Sequence, residues 1–252
     1  MKIGIITMWY NEEWIAPFFL QHYRYADKIH LLYDVDSFDR TKEIASTFPN
    51  IEIEDFKFPN MLNDIIKQNR FNNVLNSDTF KDFDWVYCVD ADELIWPPDG
   101  QNVHRFLERH NHYNVIYAAM WQVYRNVSEQ DLDVSIQPVD LQRRHGDPER
   151  FNGSNAFYYK PCIIKPGFKI KLGLGNHKYK RNWRIRVAPQ HFDGAHWAMA
   201  DVEMAITRRI KHRKFRLSRI NRLLRLGSHY NQITEEQIRD ECNKHLHDPR
   251  LF

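Results

Sequence analysis

The sequence has few cysteines, and their spacing matches no metal or disulfide motif. The 252 residues include three, Cys88, Cys162 and Cys242, and no C-x-x-C pair occurs. An odd number of distant cysteines makes neither a disulfide framework nor a zinc knuckle. We therefore expect free thiols and a reducing compartment.

Long apolar runs and a large net charge are also absent. No stretch approaches the about 18 uninterrupted apolar residues of a membrane-spanning helix. The opening "MKIGIITMWYNEEW" lacks the apolar region of a signal peptide. The net charge of +3 argues against a protein that coats nucleic acid. These features predict a cytoplasmic protein, either free or peripheral to a membrane.

The apolar content is sufficient for a large core, at 42% hydrophobic and 14% aromatic residues. Strand-like runs at 2–9, 28–34, 51–58 and 84–92 alternate with helix-like segments. Such alternation is typical of βαβ units and a mainly parallel sheet covered by helices. The sequence therefore predicts an α/β fold in its first hundred residues.

The second half is less regular. A strand is expected at 114–124, then a long polar loop at 125–156. Three stretches favour further antiparallel or mixed strands: 157–166, 169–179 and 183–197. A basic helical region follows at 198–226, and Thr234 and Gln237 have the spacing of a capping box that begins a last helix.

Polar residues follow three of the predicted strands. Asn11 and Glu12 follow the first, Asp34 ends the second, and Asp90 and Asp92 end the fourth. Ligands of open α/β sheets bind at the carboxyl ends of the strands. These residues therefore predict one shared site.

The D-x-D pair, Asp90 and Asp92, carries the strongest chemical signal. Neighbouring carboxylates repel each other, and Mg²⁺ or Mn²⁺ relieves this by bridging carboxylates to substrate phosphates. A purely structural alternative is that the two aspartates form salt bridges or cap the next helix. The dipeptide alone does not separate these interpretations.

Several segments together resemble the GT-A glycosyltransferases, in particular family-two-like enzymes. "LLYDVDSFDRT" is similar to a strand followed by D-[DN]-x-S-x-D-x-T, and "DWVYCVDADE" is similar to the D-x-D strand. "YYKPCIIKP", "GNH" and "HWAMADVEMAITRRI" resemble later segments of that group. The resemblance covers about 3–209. It implies a GT-A (Rossmann-like) mixed sheet in a domain at 1–198, with a nucleotide-binding half at 1–100, an acceptor half at 101–198, and basic C-terminal helices at 199–252.

The resemblance also implies roles for individual residues. Those expected to contact the nucleotide sugar are Asn11, Glu12, Asp34, Arg70, Asp90 and Lys160. Asp92 would bind the metal, with Asp90 on the ribose or on a metal-bound water. Val35 departs from the family pattern, which leaves base recognition to Asp34 or Asp36.

A metal-binding histidine is implied after the last strand of the domain. That position selects His196, because "WAMADVEMAITRR" continues the resemblance downstream. His191 in "QHFDG" and His177 are the rivals. A histidine that only closes a strand through backbone hydrogen bonds is the alternative for each.

An inverting enzyme also needs a carboxylate base for the acceptor hydroxyl. Asp147 and Glu149 in the polar loop are the candidates, although solvated loop charges are the simpler interpretation. A retaining mechanism would remove the need for this base.

The basic segment 208–226 has apolar residues at helical spacing among its arginines and lysines. It could lie on an anionic membrane surface, or pack its apolar stripe on the domain. The predicted function is a Mn²⁺- or Mg²⁺-dependent transfer of a sugar, with UDP-linked donors expected first, to a glycan or lipid-linked acceptor. The alternatives are a nucleotidyltransferase, disfavoured by the acidic, glycine-free loop after the first strand, and a nucleic-acid or membrane-surface binding module.

Overall fold

The computed structural model describes residues 1–59, 61–148, 158–180, 183–213, 216–224, 226 and 233–251. Within these ranges the strands are β1 Ile3–Trp9, β2 Lys28–Asp34, β3 Ile51–Phe56, β4 Trp85–Cys88, β5 Glu93–Trp96, β6 Val115–Tyr124, β7 His145–Pro148, β8 Tyr159–Ile164 and β9 Phe192–Met199. The helices are α1 Ala16–His22, α2 Thr41–Ser46, α3 Asp64–Leu75, α4 Val103–Arg109, α5 Val202–Ile206, a π-helix Thr207–Arg213, α6 Arg219–Leu223 and α7 Glu235–Lys244.

All of these strands belong to one mixed sheet in the order β3-β2-β1-β4-β8-β6-β9-β5, with β7 also paired to β6. Strands β1 to β4 are parallel to their neighbours within this group, whereas β8 is antiparallel to both β4 and β6. Strand β9 is parallel to β6, and β5 closes the edge antiparallel to β9. The predicted fold class is confirmed: a mixed α/β sheet with flanking helices, consistent with a GT-A (Rossmann-like) fold.

The sequence of β1 explains why it lies inside the sheet. All seven of its residues are buried. Because alternate side chains of a strand face opposite sides of the sheet, Ile3 and Ile5 join one apolar cluster while Ile6 and Met8 join another. Helices cover both faces, so β1 is buried on both sides, with Thr7 as its one polar side chain, instead of alternating between buried apolar and exposed polar residues.

Several predicted boundaries differ from the structure. The D-x-D residues lie in the turn between β4 and β5, not in extended continuation of β4. The polar stretch 125–156 is not loop throughout, because β7 forms within it. The predicted strand 169–179 is a 3₁₀ turn, Leu174–Asn176, closed by one bridge.

The basic region is broken into α5, the π-helix and α6, where the apolar spacing predicted continuous helix. The last helix, α7, begins with the predicted capping box of Thr234 and Gln237. Across the described ranges, no helix combines the length and the apolar character that crossing a membrane requires.

Candidate active site

The parallel strands bring the predicted polar residues to one edge of the sheet. In the register of the sheet, Trp9 of β1 lies beside Tyr33 of β2, and Ile6 lies beside Cys88 of β4. The residues that follow these strands are therefore neighbours, and Glu12, Asp34 and Asp92 are all buried there. We call the edge formed by residues 11–12, 34–36 and 90–93 the acidic rim.

The loop after β1 is fixed by the segment that follows β2. Asn11 has a left-handed φ of 52°, which asparagine tolerates better than most residues. Its Oδ1 accepts a hydrogen bond from the Phe38 backbone N–H at 2.8 Å. The backbone N–H of Glu12 donates to Thr41 Oγ1 at 2.7 Å, and that of Glu13 donates to Asp39 Oδ2 at 3.0 Å. Asp39 and Thr41, two residues of the segment similar to D-[DN]-x-S-x-D-x-T, thus position the end of the first strand.

Hydrogen bonds to backbone groups of the D-x-D turn hold it in place. The Asp90 N–H donates to Glu93 Oε2 at 2.9 Å, and the Asp92 carbonyl accepts from the Trp197 N–H at 2.6 Å. The second contact ties the turn to β9. Because the turn is not extended, the Asp90 and Asp92 side chains meet different partners.

The structure brings Asp92 and His196 together. His196 lies on β9 directly opposite Glu93 of β5, and its Nε2 is 3.4 Å from Asp92 Oδ2. The rival histidines lie elsewhere: His191 contacts the Tyr159 ring, and His177 contacts Tyr158. Of the three, His196 is the one with a contact to the D-x-D pair.

Arg208 of the π-helix joins two of the rim carboxylates. Its Nε and one terminal nitrogen donate to Glu12 at 2.6 and 3.2 Å, and the other terminal nitrogen donates to Asp92 at 2.7 Å. Arg213 also donates to Glu12. Burial favours the neutral form of Asp92, but Arg208 and His196 outweigh it and hold the pKa of that carboxyl well below its ordinary value. Asp92 is therefore ionised at neutral pH.

Arg216 occupies the end of β2. It donates to Asp34 at 2.6 Å and to Asp36 at 3.0 Å. Its guanidinium carbon lies 3.6 Å from the centre of the Tyr10 ring, which is a cation–π distance. The carboxylate expected to contact the base is therefore already bound by a side chain of the same protein.

Two lysines neutralise the remaining acids of the rim. Lys67 of α3 donates to Asp90 at 2.9 Å, and the buried Lys160 of β8 donates to both carboxylate oxygens of Glu93. Burial opposes the charge of Lys160, but attraction by Glu93 and Asp90 outweighs it and raises its pKa. Burial also opposes ionisation of Asp90, yet Lys67 and Lys160 lower its pKa. Lys160 and Asp90 are therefore charged at neutral pH, whereas burial raises the pKa of Glu93 above its ordinary value despite the attraction of Lys160.

The other predicted residues are placed less centrally. Arg70 of α3 pairs with Glu54 of β3, which lies two residues before the end of that strand. Asp147 of β7 is exposed and lies opposite Gln122 of β6, whose other neighbour is His196. Two strand spacings separate Asp147 from His196, about 10 Å. Glu149 lies outside the described residues.

Sequence reasoning missed the basic side chains of the rim: Lys67, Arg208, Arg213 and Arg216. Three of them come from the segment interpreted as a solvated or membrane-facing helix. A signal for them existed, because several buried acids require counter-charges of some kind. The sequence pattern does not show whether a metal ion or the chain's own arginines supply these counter-charges.

The residues at the rim fit a divalent cation in part. Asp92 and His196 offer an ionised oxygen and an imidazole nitrogen, both ligand types of Mn²⁺, on neighbouring segments. An ion there would share Asp92 with Arg208. Among the described residues, a different group has three potential metal-ligand atoms within 4.8 Å of one another. It consists of Asp147, His245 and Asp248. The rim therefore supplies two protein ligands, which suits an ion that also binds phosphates.

Comparisons with known proteins do not assign the chain to a family. No family model matches the chain. No curated protein matches it either. Among solved structures it is similar to core-mannan synthase A from Aspergillus fumigatus in its Mn/GDP form, with 12% identity and a TM-score of 0.28 over 50% of this chain and 43% of that chain. This chain thus spans less than half of that chain's length, and a similarity of this size assigns neither an activity nor a ligand here.

Proposed function

We propose that this protein is a glycosyltransferase that moves a sugar from a nucleoside-diphosphate donor to a hydroxyl of a glycan or lipid-linked acceptor. The observation that carries the proposal is the contact between Asp92 and His196 at 3.4 Å. The resemblance pairs these two residues as ligands of one metal ion, although they lie far apart in the sequence. A histidine whose only role is to close β9 through backbone hydrogen bonds need not contact the D-x-D turn.

The donor would lie along the acidic rim. Asn11 and Glu12 would border the nucleotide, Asp34 would accept a hydrogen bond from the base, and Asp90 would face the ribose. Arg216 now binds Asp34, so the base must share that carboxylate with the guanidinium or displace it. The same guanidinium is a flat group next to Tyr10, suited to stacking on a base.

Basic residues of the rim would stabilise the departing diphosphate. Mn²⁺ or Mg²⁺ held by Asp92 and His196 would supply positive charge to the leaving phosphates. Arg213 and Lys67 are only partly buried, with side chains 23% and 25% exposed. Each can therefore direct an N–H group towards those phosphates. Lys160 donates hydrogen bonds to Glu93, so any effect of Lys160 on the donor would act through that ion pair.

Asp147 is the proposed base for the acceptor hydroxyl, with Glu149 as the second proposed position. Asp147 is exposed on β7, on the side of β6 away from His196. An acceptor bound between Asp147 and the donor would lie over Gln122, which separates Asp147 from His196 in the sheet. A retaining enzyme would not need this base.

Calorimetry with UDP and with GDP, each with and without Mn²⁺, tests the proposal. We expect Mn²⁺ to strengthen binding, and Asp92→Asn and His196→Ala each to remove that increment, by about tenfold or more for a charge-assisted contact. Asp82→Asn and His247→Ala are matched controls on exposed positions and should behave as the unaltered protein. Equal affinities in all variants would contradict the proposal.

The products distinguish the rival enzyme class. A screen of UDP-, GDP- and dTDP-sugars with Mn²⁺ should release a nucleoside diphosphate if the protein transfers sugars. Release of pyrophosphate from a nucleoside triphosphate and a sugar phosphate would instead identify a nucleotidyltransferase.

A further inference from the structure

The helix α6 faces the protein with its polar side. Asn221 is fully buried, and its Oδ1 accepts the Asp64 backbone N–H at 3.1 Å while its Nδ2 donates to the Asp64 carboxylate at 2.9 Å. Ser218 caps the helix by accepting the Asn221 N–H at 3.2 Å. A surface helix ordinarily buries its apolar side. Here the anchoring contacts are polar and fix the opposite orientation.

The outward side of α6 is apolar. Ile220, Leu223 and Leu224 are 48%, 82% and 53% exposed. Residues three and four apart are neighbours on a helix surface, so these side chains form one patch. Single exposed leucines are ordinary, whereas a contiguous group at the end of an anchored helix indicates a binding surface.

Arginines lie along one edge of this group. Arg219 and Arg222 are both exposed, and the helical period places them on the same side of the apolar side chains. We define the α6 patch as these five residues, 219, 220 and 222–224. Its combination of apolar side chains that can enter a bilayer and cations that can meet lipid phosphates is the pattern of an interfacial membrane contact.

We propose that the α6 patch docks the protein on the surface of an anionic lipid bilayer. A second copy of the chain is a poorer occupant, because a two-fold interface centred on the patch would bring Arg219 and Arg222 against their own copies. Nucleic acid is also a poorer occupant, because a phosphate backbone offers nothing to a leucine that is 82% exposed. An anionic bilayer accommodates both the apolar side chains and the arginines of the α6 patch.

The position of the patch places the acidic rim close to the lipid surface. The Leu62 backbone pairs with residues on both sides of Leu217, and Arg216 binds Asp34 of the rim. Docking through α6 would therefore bring the rim towards the bilayer surface. Membrane binding itself does not depend on the proposed transferase activity, so either can fail alone.

Sedimentation of the full chain with vesicles tests the proposal. We expect binding to phosphatidylcholine vesicles containing about a third phosphatidylserine, and much weaker binding to phosphatidylcholine alone. Arg219→Gln with Arg222→Gln should reduce partitioning by about fivefold for each arginine, at roughly 1 kcal/mol per charge. Leu223→Gln with Leu224→Gln should reduce it at least as much, because the inserted apolar area is lost.

Val127→Gln is the matched control, since Val127 is 61% exposed on a different surface loop. It should leave partitioning unchanged, and thermal melts should show that all variants remain folded. The proposal is overturned if the unaltered protein ignores anionic vesicles, or if the α6 variants bind them as well as the control does. It is equally overturned if light scattering shows a dimer that Leu223→Gln dissociates, or if duplex DNA binds through the arginines while vesicles do not.

Discussion

Arg208 is the single residue on which the acidic rim most depends. It is 3% exposed and contacts Glu12 and Asp92, which are themselves buried. A guanidinium can hold one carboxylate with two parallel hydrogen bonds and still donate to a second. Lysine offers one point charge and cannot reproduce this arrangement. Arg208 therefore joins β1, the D-x-D turn and the π-helix.

Replacing Arg208 should destabilise the protein strongly. Arg208→Ala leaves buried carboxylates without their partner, which costs about 3–5 kcal/mol. Urea unfolding measures the loss, and Arg209→Ala on the next, partly exposed position should change stability by less than about 0.5 kcal/mol. A loss as small as that of the control would show that Arg213 alone satisfies Glu12.

At this scale the sequence predicted the acids better than their partners. The positions of Asp34, Asp90 and Asp92 follow from strand ends, which apolar runs reveal. The arginines come from a segment far along the chain, and a basic residue in a helical pattern is solvated by default. Nothing local marks Arg208 as buried, so only the tertiary packing identifies it.

Among the elements, β1 has the least room for change. A Cβ added at Gly4 would lie 2.4 Å from the ring of Phe80, which belongs to the 3₁₀ turn before β4. Phe80 is fully buried and packs edge-on against Phe83 with ring centres 5.1 Å apart. Because Phe80 is fully buried, its ring cannot move out of the way into solvent.

Gly4→Ala should destabilise the protein by about 1–3 kcal/mol through overpacking. Urea unfolding measures this, and Gly100→Ala is a contrasting control because no atom of the described residues lies within 4 Å of its Cβ position, although its φ of 65° adds some strain. Adding Phe80→Leu to Gly4→Ala should recover part of the loss by removing the clashing ring atoms. An unchanged or larger loss in the double variant would contradict the packing explanation.

Strands β1 to β4 and helices α1 to α3 were predictable from the alternation of strand-like and helix-like segments, whereas β5 at Glu93–Trp96 was not expected. The winding of the basic region was not predictable either. Its residues have helical spacing, but the hydrogen bonds of the π-helix 207–213 span one residue more than those of an α-helix, a difference that seven residues of sequence do not reveal. That local winding accompanies the turn of Arg208 and Arg213 towards Glu12. The apolar stripe then divides, with Leu217 buried and Leu223 exposed.

For the whole molecule, the balance of charge at the rim changes how the buried acids are understood. The sequence suggested a divalent cation as their counter-charge. The structure supplies lysines and arginines for every acid of the rim, among them Lys67, Lys160 and Arg208. Burial of the acids is thus explained by the chain itself, and a metal at Asp92 and His196 is a requirement of the proposed chemistry and not of the fold.

This charge balance predicts how stability depends on pH in the absence of divalent ions. The pKa values of Asp90 and Asp92 are lowered by their basic neighbours, so at these two groups the folded state binds fewer protons than the unfolded chain, whereas burial raises the pKa of Glu93 and opposes this in part. Their contribution is complete above the unfolded value near pH 4 and is lost as the pH falls through the folded values. Burial lowers the pKa of His30 and His212, which adds a separate loss that begins as the pH falls below about 6.5.

Urea midpoints measured from pH 8 to pH 3 should therefore be flat above about pH 7, decline gently below about 6.5, and fall steeply below about 4. His30→Gln should remove part of the gentle decline and leave the steep one, because His30 contacts Glu52 and Glu54 and not the rim. Lys67→Met should weaken the steep decline, because the pKa of Asp90 then rises towards its unfolded value. A profile that rises on acidification would mean that the rim acids are protonated in the folded protein, and the ion-pair network would then be wrong.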